Sequence, residues 1–281
     1  GRAISIAVLG FAAAEATLPF LGALALTAYP WRGLWWMAAG VIVLVLLPVV
    51  ALLARELRAR GLDRPVEGSD AQGDVQGYQW SRGEVMRDPR FFALLPGVLA
   101  SPFIITGVLF HQVRLVETKG WTLQGFAATY PLYAGASTLV VVGLGFLVDK
   151  FGARRVLPFY LLPLALGLWV LSVTSSLVGA GVFMALMGAS AGGATLVIGA
   201  LWAELYGVRH LGAIRALAVS LMVFSTALAP GMMGLAIDAG VSLDWQYRGL
   251  MAYVLVSVGL FAAVQPVLRH RAPRASDEEI V

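Results

Sequence analysis

The chain contains no cysteine, only three histidines, and charged residues at just 13% of its 281 positions. Without cysteine there is no disulfide framework, no thiolate metal site and no thiol nucleophile. So few charges set it apart from soluble proteins, in which about a quarter of residues are charged. The marks of common enzyme sites are missing too: there is no HExxH zinc pattern, no GxSxG elbow and no Walker loop, and His111, His210 and His270 fall in separate segments. We therefore expect no metal, no cofactor and no enzymatic activity. The strand alternation of a membrane barrel is absent as well.

What fills the chain instead is apolar: 59% of residues are hydrophobic and the mean hydropathy is +0.81. That is the composition of a protein whose solvent is the bilayer, so the expected class is an all-α polytopic helical bundle. About 20 apolar residues at 1.5 Å each cross the hydrocarbon layer. Eight such runs are predicted, over residues 3–28, 33–54, 91–113, 123–148, 156–173, 177–205, 212–237 and 249–268. The first run opens with Arg2 as a signal peptide would, but it is too long and carries Glu15 at its centre.

An even number of spans puts both termini on one side, and the lysines and arginines say which. Sixteen of the twenty fall on the side of the termini; Arg32, Arg114, Lys119 and Arg248 fall on the other. By the positive-inside rule the termini are cytoplasmic. Trp31, Trp35 and Trp36 cluster near the outer end of the second span, as an aromatic belt would, and read most simply as ordinary lipid-facing tryptophans. The polar stretch 55–90 reads as a linker whose arginines face lipid headgroups, so no nucleic-acid partner is expected despite the net charge of +4.

The chain also echoes itself. Trp31-Arg32-Gly33-Leu34 opens the second span, and Tyr247-Arg248-Gly249-Leu250 opens the eighth at an offset of 216. Arg2, Pro19 and Gly22 of the first span parallel Arg215, Pro230 and Gly234 of the seventh. Parallel repeats of this kind build two-bundle transporters. Spans three to six would then need counterparts beginning roughly 120 residues before Gly1, which reads as an N-terminally truncated twelve-span protein.

The loop after the fourth span reads Gly145-Phe-Leu-Val-Asp149-Lys150-Phe-Gly152-Ala-Arg154-Arg155. It resembles the signature loop of the major facilitator superfamily at every defined position. Glu204-Leu-Tyr-Gly207-Val-Arg209-His210-Leu-Gly212-Ala-Ile-Arg215 is similar to the loop before the penultimate helix of many bacterial members. The resemblance covers the chain as helices five to twelve of twelve, nearest the monocarboxylate and oxalate/formate-like branch. It implies that residues 1–54 are the last two helices of an N-terminal bundle, 55–90 a cytoplasmic linker, and 91–281 a C-terminal six-helix bundle with a cytoplasmic tail. It further implies a secondary transporter in a bacterial-type inner (plasma) membrane, working by alternating access on a small organic solute, with an organic anion and proton coupling as the finer expectation. The other readings are a polytopic enzyme or assembly scaffold, and an uncoupled channel or scramblase.

Several residues are candidates for the work. Asp149 can accept hydrogen bonds from amides at a neighbouring helix start, with Lys150, Arg154 and Arg155 at the headgroups. The loop is then a latch for one bundle arrangement, or simply a positive-inside anchor. Glu15, flanked by four alanines, is either a proton-coupling or substrate-facing carboxylate or a protonated group bonded between helices. His111, Gln112 and Arg114 either attract an anion at the outer end or anchor the interface. Thr106, Tyr130 and Tyr133 are implied cavity-lining residues by the resemblance. Gly188 and Gly192 form a close-packing face, with a gating point as the alternative. Glu204 is expected to be solvated or paired with Arg209 or Arg215.

Overall fold

A computed structural model of the protein describes residues 2–60 and 78–269. Among them there are only helices: α1 (Arg2–Ala25), α2 (Trp31–Val41), a π-helical turn (Ile42–Leu46), α3 (Leu47–Ala59), α4 (Arg82–Val85), α5 (Pro89–Phe110), α6 (Gln112–Lys119), α7 (Leu123–Ala127), α8 (Tyr130–Phe151), α9 (Ala153–Val156), α10 (Leu162–Val173), α11 (Leu177–Tyr206), α12 (Leu211–Asp238) and α13 (Leu243–Arg269). Six stretches among the described residues are long and apolar enough to cross a membrane: Trp31–Glu56, Pro89–Phe110, Leu123–Phe151, Leu177–Tyr206, Leu211–Asp238 and Leu243–Leu268. The other two expected spans correspond to shorter apolar helices, Gly10–Ala25 and Leu162–Val173. The fifth span was expected from Val156, but regular helix starts only at Leu162. Pro158 and Pro163 explain the delay, because proline lacks an amide hydrogen and disfavours helix at the residue before it.

Capping residues place the helix starts. Thr122 accepts from the Gly125 amide ahead of α7, and Ser176 from the Gly179 amide ahead of α11. Ser81 and Glu84 form a reciprocal capping box at α4, and Asp88 caps α5 with Pro89 in its first turn. The two tight reversals at α8–α9 and α11–α12 sit on Gly152 and Gly207, both with φ of 83°, where a side chain would be strained.

Helix α11 is the axis of the bundle, packed most closely against α8 and also against α10; α12 and α13 pack on α5, and α13 on α10. The α8–α11 contact is backbone on backbone. A Cβ added at Gly188 would lie 2.1 Å from the Tyr133 carbonyl oxygen, and one at Gly192 would lie 2.3 Å from that of Ser137. These small residues therefore serve as a packing face, which membrane helices need because lipid supplies no hydrophobic drive between them. Gly97 does the same for Phe261, whose ring occupies the space of the missing Cβ. Helix α1 leans on α7 and α8, whereas α2 and the π turn bury no side chain.

Contacts sort the helix ends. Tyr206 at the end of α11 bonds Asp88 at the start of α5, and Arg154 of α9 bonds Glu204 near the end of α11 and Gln265 and Leu268 near the end of α13; these contacts define a basic end. At the opposite end Lys119 bonds Asp244, Trp121 bonds the Ser175 carbonyl, and Gln124 reaches the Ala23 carbonyl.

Candidate functional site

Two groupings of polar side chains lie within the apolar bundle. The first lies where α1 meets α8. Glu15 is half-buried on α1, and its carboxyl is within electrostatic reach of the Tyr130 and Tyr133 phenols, both buried on α8. The Tyr130 hydroxyl donates to Gln112 Oε1 at 2.9 Å. Next to Gln112, His111 Nε2 lies 3.0 Å from the Pro230 carbonyl oxygen of α12. A carbonyl only accepts, so Nε2 carries the proton. Of the expected pathway residues, Tyr130 and Gln112 are bonded, His111 ties this pair to α12, and Glu15 lies on α1, which packs against the same helix α8 that carries Tyr130 and Tyr133. Arg114 is apart from them: it pairs with Glu117 at 3.8 Å, both side chains some 60% exposed, a surface contact worth little.

The second grouping lines a cavity of about 470 Å³ between α5, α11 and α12. That size lies within the range of small-molecule sites. Thr106 lines it, together with Ser101 of the same helix and Thr195 of α11, whereas Tyr130 and Tyr133, implied to line the same cavity, do not. Most of the wall is apolar, including Ile105, Ile198, Trp202 and Met222. The only charged residue in the lining is Arg215 of α12, whose guanidinium donates to the Gly199 carbonyl and has no acidic partner among the described residues. Sequence reasoning counted Arg215 among the basic residues of the cytoplasmic side, in the internal repeat and as a candidate partner of Glu204, but not as a site residue. The available signal was its place one turn into an apolar helix.

The signature loop is held at the basic end. Arg154 Nε donates to Glu204 Oε1 at 2.5 Å, its amide reaches Glu204 Oε2 at 3.3 Å, and its guanidinium also donates to the Leu268 carbonyl. The Arg154 carbonyl in turn accepts from the Gln265 amide at 2.6 Å. The loop therefore clips α9 to α11 and α13. Gly152 is required beside it, since a Cβ there would lie 3.1 Å from Glu204 Oε1 on a backbone that already favours glycine. Glu204 is thus partly solvated, as the sequence suggested, but its partner is Arg154 and not Arg209 or Arg215. Gly145 is half-buried on α8 with open space around it, and Lys150 sits over the Phe151 ring at 5.3 Å. Asp149 is exposed and has no hydrogen-bond partner among the described residues, so the expected contact with a helix start is not made there.

A further dock was missed. The linker was read as continuous from 55 to 90, and its middle, 61–77, lies outside the described residues. From Tyr78 onward it is folded onto the α11–α12 loop. Gln79 Oε1 accepts from the Val208 and Arg209 amides at 3.0 and 3.1 Å, and the Trp80 amide donates to the Tyr206 carbonyl at 3.1 Å. Trp80 lies between the Tyr206 ring and the Arg90 guanidinium, and Tyr206 donates to Asp88 at 3.1 Å. Glu84 is held at about 2, below the usual carboxylate range, by the Tyr78 hydroxyl and then by the Ser81 amide and hydroxyl.

A family model described as Major Facilitator Superfamily matches residues 1–144, which is just over half of the 281-residue chain. The protein belongs to that superfamily and is an integral membrane transporter. The match ends immediately before Gly145, so the resemblance of the signature loop is a separate observation on different residues. No curated protein matches the chain.

Proposed function

We propose that this superfamily member is a secondary transporter that moves a small organic anion by alternating access, coupled to protons. The observation that carries the anion is Arg215: one cation, with no acid beside it among the described residues, at an otherwise apolar cavity that also offers three hydroxyl side chains. A carboxylate entering there would exchange water for a guanidinium and hydroxyl donors. Coupling rests on Glu15. An ionisable group within a span is a functional candidate by default, and Glu15 is half-buried on α1 where that helix packs against α8. The uneven split of basic residues supports cytoplasmic termini in a bacterial-type plasma membrane. In this reading residues 1–54 belong to one bundle and 91–281 to the other, with 55–90 joining them.

Uptake of radiolabelled small carboxylates into proteoliposomes under an imposed pH gradient tests both parts. Arg215→Gln should lower anion uptake about tenfold or more, since losing a charge-assisted hydrogen bond costs about 1.5–3 kcal/mol. Arg215→Lys should recover part of it. Glu15→Gln should abolish the response to the pH gradient while leaving exchange of substrate across the membrane. Equal uptake by wild type and Arg215→Gln would refute the anion site, and accumulation that ignores the pH gradient in wild type would refute the coupling. Flux that never exceeds the substrate gradient would favour the uncoupled channel or scramblase.

A further inference from the structure

The signature loop presents two adjacent arginines that face different surroundings. Arg154 is turned inward and saturated by Glu204 and the Leu268 carbonyl. Arg155 is exposed and has no hydrogen-bond or ion-pair partner among the described residues. It stands at the mouth of a second cavity of about 380 Å³, separate from the one that holds Arg215. One wall is the proline-interrupted turn before α10, with Phe159 and Leu162; the other is α13, with Val258, Ala262 and Gln265. Pro158 opens this groove, because the chain there cannot continue as a helix against α13.

Charge and depth together define an occupant. The lining holds one cation and no acid. Phe159 is 63% exposed and Leu162 40%, so the groove opens on the surface that faces lipid. Along α13 the groove runs from Val258 to Gln265, and Gln265 is near the basic end, where Leu268 meets Arg154. Seven residue steps of about 1.5 Å span about 10 Å, within the roughly 15 Å of hydrocarbon in one leaflet. The groove therefore starts near headgroup level and follows the upper part of an acyl chain. A guanidinium at the headgroup level matches a phosphate with two parallel hydrogen bonds.

We propose that this groove binds an anionic phospholipid, with Arg155 taking the headgroup phosphate and the Phe159–Ala262 walls taking one acyl chain. The assignment gives Arg155 a role that its neighbour cannot fill, and it does not depend on which solute is transported. The test is native mass spectrometry of the full chain, delipidated in detergent and titrated with phosphatidylglycerol, with phosphatidylcholine of the same chains, or with inorganic phosphate. Wild type should retain phosphatidylglycerol in preference to phosphatidylcholine. Arg155→Gln should weaken that retention about fivefold, from about 1 kcal/mol per basic residue at the membrane surface. Arg155→Lys should retain most of it. Ala262→Phe keeps the charge but fills the groove at an exposed position, and should lose the lipid as well. Indifference to Arg155→Gln, or equal retention of phosphatidylcholine, would overturn the proposal. Displacement of the lipid by millimolar inorganic phosphate would do so too, by showing a site for a soluble anion.

Discussion

Gly188→Ala is the sharpest test of how the bundle is built. Gly188 and Gly192 lie one turn apart on α11 and meet the carbonyls of Tyr133 and Ser137, one turn apart on α8. A Cβ at 188 would be 2.1 Å from the Tyr133 oxygen, where ordinary contact begins at 3.4 Å, so the helices must separate by about 1.3 Å. A side chain in the way can rotate aside, but a backbone carbonyl within a helix cannot. Overpacking costs about 1–3 kcal/mol when side chains can adjust, so the upper end applies here. At about 2–4 °C per kcal/mol, the apparent Tm of the detergent-solubilised protein should fall by about 6–12 °C. Gly143→Ala on α8, where a Cβ meets nothing within 4 Å, is the matched control and should not lower it. The assay is the fraction remaining monodisperse by size exclusion after heating at a fixed rate, because unfolding from detergent is irreversible. If Gly188→Ala melts with Gly143→Ala, the two helices are not in backbone contact and the argument fails.

The Arg154–Glu204 pair is about a third exposed on both sides, so a double-mutant cycle with Arg154→Gln and Glu204→Gln should give a coupling of about 1 kcal/mol in stability; additivity of the two single changes would show that the clip does not hold. Glu84 has a folded pKa of about 2, below the unfolded value of 4.5, so its contribution to the capping box is present above pH 4.5 and is lost as pH falls through about 2. Amide protection at Ser81, corrected for intrinsic exchange, should therefore persist at pH 4 and decline below pH 3, and Glu84→Gln should remove that pH dependence.

Most of the fold was legible because a bilayer demands one simple thing of a sequence, an apolar run of sufficient length. The runs at 177–205, 212–237 and 249–268 each fall on a single helix, and that at 91–113 falls on α5 but for its last three residues. Boundaries shifted where chain chemistry overrode hydropathy. Pro158 delayed α10 within a run that is apolar throughout, and Thr122 with Gly120 at a φ of 68° split off α6 and α7 before α8. The dock of Tyr78–Asp88 was illegible for the opposite reason. Its stability comes from one tryptophan, one glutamine and backbone groups more than 120 residues away, and no periodicity announces a contact of that kind.

The site residues divide along the same line. Glu15 was singled out because an ionisable side chain in an apolar run is conspicuous, whereas Tyr130 and Tyr133 came only from the family resemblance. Arg215 and the partner of Glu204 were misread because local sequence offered too many explanations for them. Arg209 and Arg215 are the cations nearest to Glu204 in the chain, so pairing was assigned by proximity. Gly207 instead reverses the chain at a φ of 83° and sends Arg215 up α12 to line the cavity, while Gly152 turns with the same φ and delivers Arg154 to Glu204 from 50 residues away. Both outcomes follow from two glycines that the sequence did display. A positive φ sets which cation meets the acid at the basic end, and by elimination which cation remains unpaired at the cavity.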